Sequence, residues 1–124
     1  MSRDITYYQV WDSTTAVATT SVLTSSALSQ HPSSGFCGLL VILAGSTPSV
    51  DITYTVGLSE YGTFYTPFDR DGNNLASLAT TLTATRWISF SPIVAPFIKI
   101  VVTGDGSNGA NTTVRAYLSF PEEF

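Results

Sequence analysis

The chain has 124 residues, a net charge of −4 and a single cysteine. One domain of this size buries roughly two-thirds of its unfolded surface, so its core needs neither metal nor disulfide, and one cysteine excludes an intrachain disulfide. The five basic residues (Arg3, Arg70, Arg86, Lys99 and Arg115) are scattered, which argues against direct nucleic-acid binding, and no run of about 18 apolar residues is present to span a membrane.

Charged residues make up 11% of the chain, where ~25% is usual; Ser and Thr fill the gap. Two readings follow. One is a stable domain from an extracellular or particle setting. The other is a surface that packs against neighbours, where Lys and Glu are costly to desolvate. The start, Met1-Ser2-Arg3-Asp4, has no apolar segment behind it. That predicts synthesis in a cytosol without a signal peptide, and is compatible with later release as part of a particle.

Residues 5–11 alternate weakly, with Ile5, Tyr7 and Gln9 on one face and Thr6, Tyr8 and Val10 on the other. Neither face is purely polar, so both need cover. Residues 1–20 are therefore expected to be an N-terminal arm docking on a neighbour, or an edge strand. Residues 12–15 read as a turn, residues 17–28 as one or two weak strands, and Gln30-His31-Pro32-Ser33-Ser34-Gly35 as a break.

Residues 36–43 are almost continuously apolar and predict a central strand covered on both faces. Residues 50–58 alternate with period two: Val50, Ile52, Tyr54, Val56 and Leu58 inward, Asp51, Thr53, Thr55 and Gly57 outward. The short link at 45–49 predicts that these two strands form a hairpin. A turn at Tyr61-Gly62, a short strand stopped by Pro67, and a polar loop at 69–74 come next. Leu75, Leu78 and Leu82 have helical spacing, but the Ser and Thr residues among them disfavour a helix, so 75–83 is expected to be strand or irregular. Residues 87–90 form a strand with Trp87 expected inside. Residues 96–103 and 112–120 both alternate, and the Gly-rich turn between them predicts a second hairpin. The chain is expected to leave the sheet at Pro121. The total is an all-β antiparallel sandwich, jelly-roll-like, of seven to nine strands, with the sandwich domain over 21–120 and a short tail at 121–124.

Candidate sites are few. Asp69-x-Asp71-x-Asn73 spaces oxygen ligands as calcium loops do, but its glycine, Gly72, comes one position early and Thr80 stands where Glu belongs, so a polar hairpin loop is preferred. His31 and Cys37 fall short of a zinc set, and Cys37 sits in an apolar strand where a substrate could hardly reach it. Asp51 and Glu60 are carboxylates without any indicated pairing. Asn111-Thr112-Thr113 fits a glycosylation sequon but has no export route. Tyr61, Phe64, Tyr65 and Phe68 form an aromatic cluster, suited to a core or subunit interface and, if exposed, to a glycan. No catalytic, cofactor or metal residues are named.

Three pieces carry a family resemblance: Ser59-Glu60-Tyr61-Gly62-Thr63-Phe64-Tyr65-Thr66-Pro67, the approach Phe90-Ser91-Pro92-Ile93-Val94-Ala95-Pro96-Phe97-Ile98-Lys99-Ile100, and the closing 104–120 segment with its Gly/Ser/Asn turn and Thr-rich last strand. Together they resemble small β-sandwich or jelly-roll structural proteins of tailed bacteriophage virions, the head-decoration, fibre and neck-associated kind. The first piece has Tyr61 where that pattern has Asp. The resemblance implies a non-enzymatic virion protein, foremost a capsid decoration or stabilising subunit. Its expected partners are itself, as a trimer or higher ring, and the major capsid or tail protein, with no nucleic acid and no membrane. A tail or neck component is the near alternative. A carbohydrate- or receptor-binding module is the alternative of another class and predicts exposed aromatics near 61–68 or at Trp11.

Overall fold

The structure is a computed structural model that describes residues 3–11, 15–17, 22–30, 37–45, 47–106 and 112–123. It contains eleven strand segments: β1 (Arg3–Gln9), β2 (Thr15–Ala16), β3 (Val22–Thr24), β4 (Leu28–Ser29), β5 (Cys37–Ala44), β6 (Val50–Gly57), β7 (Phe64–Tyr65), β8 (Ser77–Leu82), β9 (Arg86–Phe90), β10 (Phe97–Gly104) and β11 (Thr113–Glu123). All named pairings are antiparallel. They form two sheets. Sheet A runs β1-β11-β5-β9, with β2 also on β11; sheet B runs β3-β10-β6-β7, with β4 on β10 and β8 on β6.

Several segments are continuations of one another. β1 and β2 lie along the same edge of β11, joined by hydrogen bonds from Val10 N to Ala116 O and from Val17 N to Thr112 O, both 2.9 Å. β3 and β4 share an edge of β10, and β7 and β8 share an edge of β6. Eleven segments among the described residues thus make eight rows, more strands than the seven to nine expected, because three of the rows are each broken in two.

The two sheets pack face to face over one core, because alternation gives each central strand one apolar side. Leu39 and Val41 on β5, Ile52 and Tyr54 on β6, Ile98, Ile100 and Val102 on β10, and Val114, Ala116 and Leu118 on β11 are all buried there. Tyr54 spans the core, stacking at 5.6 Å on Phe90, and its hydroxyl accepts the Ile93 N–H at 3.3 Å.

Both predicted hairpins are absent. β5 pairs with β11 and β9, while β6 pairs with β10, β7 and β8; likewise β10 and β11 sit in different sheets. The links at 45–49 and 105–112 are arches that cross the sandwich, a step of about 10 Å that five residues can span. A period-two pattern with a short link is equally compatible with a hairpin and with an arch. The arches are tied together, since Asp105 N donates to Ser49 O at 3.4 Å and the Ser49 hydroxyl to the Asp105 carboxylate.

Two other expectations are corrected. β11 continues through Pro121 to Glu123, with Pro121 opposite Ile5. Even-numbered β11 residues offer their carbonyls to the β1 side, as Ala116 does, so the missing N–H of Pro121 points towards β5. Among the described residues the last β11 partner on β5 is Gly38, opposite Ser119. The inward alternation of β6 also stops early: Gly57 closes the strand, and Leu58 is 86% exposed.

Candidate functional site

The outer face of sheet A is the least expected surface of the molecule. Register aligns Tyr117, Leu40 and Trp87 in one row across β11, β5 and β9, and Tyr7, Ser119, Gly38 and Ser89 in the next. All project away from the core. Leu40 and Ile42 make the outer side of β5 apolar, yet both remain half-exposed, where the sequence predicted cover on both faces. Trp87, expected inside, is 64% exposed. Ile88 and Phe90 take the inward positions of the edge strand β9 and leave Trp87 and Ser89 outside.

These side chains shape a hollow lined by Tyr7, Leu40, Trp87, Tyr117 and Ser119. Tyr7, 65% exposed, meets Tyr117 edge-on with ring centroids 6.0 Å apart. Gly38 keeps the floor low. A Cβ there would stand 3.2 Å from Ser119 Oγ and 3.8 Å from the Trp87 ring. The Ser119 hydroxyl donates to Gly38 O at 3.1 Å. At the next row Arg115, opposite Ile42, lays its guanidinium 5.8 Å from the Tyr117 ring centroid and donates from Nη2 to Tyr117 Oη. Its Nε is buried without a hydrogen-bond partner.

A second apolar surface lies at one end of sheet B. Leu58, Tyr61, Tyr65 and Phe68 are exposed, Tyr61 to 94%. The Ser59–Gly62 turn, closed by Gly62 N to Ser59 O at 3.3 Å, projects them. Glu60 holds Tyr61 above the usual phenol range, first by a side-chain hydrogen bond and then by its charge. Phe64 instead lies over Gly57, where a Cβ would stand 3.1 Å from the ring, and Lys99 Nζ caps it at 4.4 Å from the centroid. The exposed aromatics that the binding-module alternative predicts at 61–68 are present. Trp11 is half-buried and packs against the core.

The remaining candidates take structural roles. Asp69 Oδ1 accepts the N–H groups of Asp71 and Asn73, and its Oδ2 accepts from Asn73 Nδ2, all at 2.9 Å. The loop therefore occupies its own carboxylate, which these bonds, the Asn73 side chain first, hold below the usual carboxylate range. Asp51 Oδ1 accepts the Thr81 N–H at 2.9 Å. Six residues of strand separate Asp51 from the end of β6 beyond which Glu60 lies, on the order of 20 Å, far beyond a glycosidase spacing of roughly 5–9.5 Å. Cys37 is buried on the inward side of β5. His31 and Asn111 lie outside the described residues. Among the described residues no three His, Cys, Asp or Glu side chains gather to hold a metal, and no helix is long and apolar enough to cross a membrane.

Sequence reasoning missed the sheet A hollow, although its signal was legible: Trp87 alternates with Ile88 and Phe90, and the outer residues of β5 are apolar. No protein-family model matches the chain, and no curated protein matches it. Among solved structures it is similar to the crystal structure of the SPBc2 prophage-derived protein YomS, at 19% identity over 96% of each chain with a TM-score of 0.48, a likeness too distant to assign a role.

Proposed function

We propose that this chain is a non-enzymatic structural subunit of a tailed-phage virion, made in the host cytoplasm, that decorates or stabilises the capsid through protein–protein contacts. The observation that carries the reading is the apolar outer face of sheet A. The core lies beneath it, yet Tyr7 and Trp87 are exposed and Leu40 and Tyr117 half-exposed. Contiguous apolar surface of that kind on a folded domain marks an interaction site. Its partners are other copies, in a trimer or larger ring, and the major capsid or tail protein of the particle.

The same reading takes the sandwich as a jelly roll. Numbering the eight rows in chain order, the first pairs with the eighth, the second with the seventh, the third with the sixth and the fourth with the fifth. That is a long antiparallel ribbon rolled into two sheets, the pattern of a double Greek key. Such a scaffold gives rigid faces and loops at both ends, which suits work done by geometry and buried area.

The test is composition and stability of particles purified by density from cells with and without the gene. The chain is expected in fixed proportion to the major capsid protein, and particles lacking it should disrupt at lower temperature. A chain that stays wholly in the soluble lysate overturns the proposal. Labelling on the tail or neck moves the chain to that site and keeps the class. The exposed Tyr61, Tyr65, Phe68 and Trp87 favour one other reading, a carbohydrate- or receptor-binding module; saturable glycan binding lost on Trp87→Ala or Tyr61→Ala would establish it.

A further inference from the structure

Aspartate followed by glycine is the backbone pair most open to spontaneous rearrangement, because glycine puts no side chain in front of its amide nitrogen. The described residues hold two such pairs, Asp71–Gly72 and Asp105–Gly106. The Asp105 carboxylate is taken up by the Ser49 hydroxyl. Asp71 and Gly72 are both exposed, and among the described residues nothing bonds the Asp71 carboxylate.

In the rearrangement the Gly72 nitrogen attacks Asp71 Cγ. An N–Cγ bond forms, the amide proton and a carboxyl hydroxyl leave together as water, and a succinimide ring results. Water then opens the ring at either carbonyl. One opening restores aspartate; the other gives isoaspartate, whose main chain is one carbon longer. Nothing but water is exchanged.

The turn opposes the first step. Gly72 N donates to Asp69 O at 3.1 Å, and Asp69 N donates to Asn73 O at 3.0 Å around it. Neither Arg70 nor Asp71 has a positive φ, while Gly72 has φ 85°. That combination is a type I turn over 69–72 ending in a left-handed glycine. A type I turn holds ψ of its third residue, here Asp71, at about 0°, whereas a planar five-membered ring sets the Gly72 nitrogen over Cβ and needs a ψ roughly 120° away. That rotation swings the Gly72 N–H off Asp69 O. Asp69 Oδ1 resists it from both sides, holding the N–H groups of Asp71 and Asn73 at 2.9 Å.

We propose that Asp71–Gly72 is a latent isoaspartate site that the 69–73 turn keeps closed, with Asp69 as the positioning residue. Isoaspartate lengthens the main chain inside the turn, so one conversion costs the loop its bonds to Asp69. In a long-lived protein Asp69 therefore sets how long this loop keeps its shape.

The test is peptide mapping of isoaspartate in folded protein kept for weeks at neutral pH, against the same chain unfolded in urea. Peptide resolution separates this pair from Asp105–Gly106 and from Asn108–Gly109, which yields isoaspartate by the same ring. Wild-type Asp71–Gly72 is expected to convert about tenfold more slowly folded than unfolded, the factor set by breaking at least two hydrogen bonds. Asp69→Ala should raise the folded rate several-fold and leave Asp105–Gly106 unchanged. Asp69→Asn, which keeps an Oδ1 acceptor, should stay near wild type. Equal folded and unfolded rates, an Asp69→Ala variant as slow as wild type, or an Asp69→Asn variant as fast as Asp69→Ala each overturn the proposal. A rise at both Asp–Gly pairs in Asp69→Ala overturns it too, since the restraint would then be global. None of these outcomes depends on the virion role.

Discussion

Replacing Ser25 by Ala should destabilise the sandwich far more than a small hydroxyl suggests. Ser25 sits where the edge row of β10 breaks between β3 and β4. Its N–H still reaches Ile100 O at 2.9 Å, but no backbone carbonyl is offered to the Ile100 N–H in return. The Ser25 hydroxyl takes that place, accepting from Ile100 N at 2.9 Å while donating to Ser26 O at 2.8 Å. Both residues are buried. Ser25→Ala thus strands a main-chain donor inside the protein, a desolvation cost of about 1–3 kcal/mol. For a chain of this length that is a fall in Tm of about 4–12 °C, read by circular dichroism melts. Amide exchange at Ile100 should accelerate with it. Ser26→Ala, at an exposed neighbour whose carbonyl is untouched, is the control and should shift Tm by under ~2 °C. A Ser25→Ala variant that melts within ~2 °C of wild type would refute the role given to this hydroxyl.

Thr81 is a β-branched residue at φ 49°, a strained position. Thr81→Gly should relieve the strain and, net of added chain entropy, raise stability by about 1 kcal/mol; a lower Tm in the same melts counts against that strain. Gly57→Val should lift Phe64 from the sheet and break its contact with Lys99, at a cost of about 1–3 kcal/mol, visible as loss of the ring-current shift on the Lys99 methylenes. Asp69 has a folded pKa below its ordinary 3.8, so its contribution to the 69–73 loop is present above that value and is lost as pH falls through the folded one. Carbon-detected NMR should find it titrating below ordinary carboxylates, and a normal titration denies it the loop bonds. Deleting residues 2–11 removes β1, the buried Val10 and the Tyr8–Phe120 stack at 5.4 Å. That deletion should unfold the chain, and a folded, cooperative variant would show that this segment acts instead as a detachable arm.

Strand positions and facing were legible wherever alternation was clean. Val50, Ile52 and Tyr54 point inward as their spacing requires, as do Ile98, Ile100 and Val102. Partnership was not legible, because period two records which side of a strand is buried and says nothing about which strand lies alongside. The five-residue link after β5 fits a hairpin and an arch equally, and the choice is made by tertiary pairing with β11 and β9. Burial at strand ends was hidden for a related reason. Leu58 keeps the parity of Tyr54, but it follows the last paired residue and has no opposite sheet to meet. The calcium-like spacing at 69–73 was visible while the use of its carboxylate was not, since it depends on how the loop turns at Gly72 (φ 85°).

β5 shows how a sequence pattern can record assembly rather than folding. Its inward residues, Cys37, Leu39 and Val41, are enough to fix it in the core. Its outward residues, Leu40 and Ile42, add nothing to that burial, yet they are as apolar as the inward ones. A central strand reads as apolar throughout when both of its faces are covered, and here the described residues cover only one of them fully. A lone soluble domain would gain by placing Thr or Lys at those outward positions, as the outer face of β6 does with Thr53 and Thr55. Leu40 beside Trp87 and Tyr117 therefore fits the proposed interaction role better than a role in the core, which the inward residues already fill.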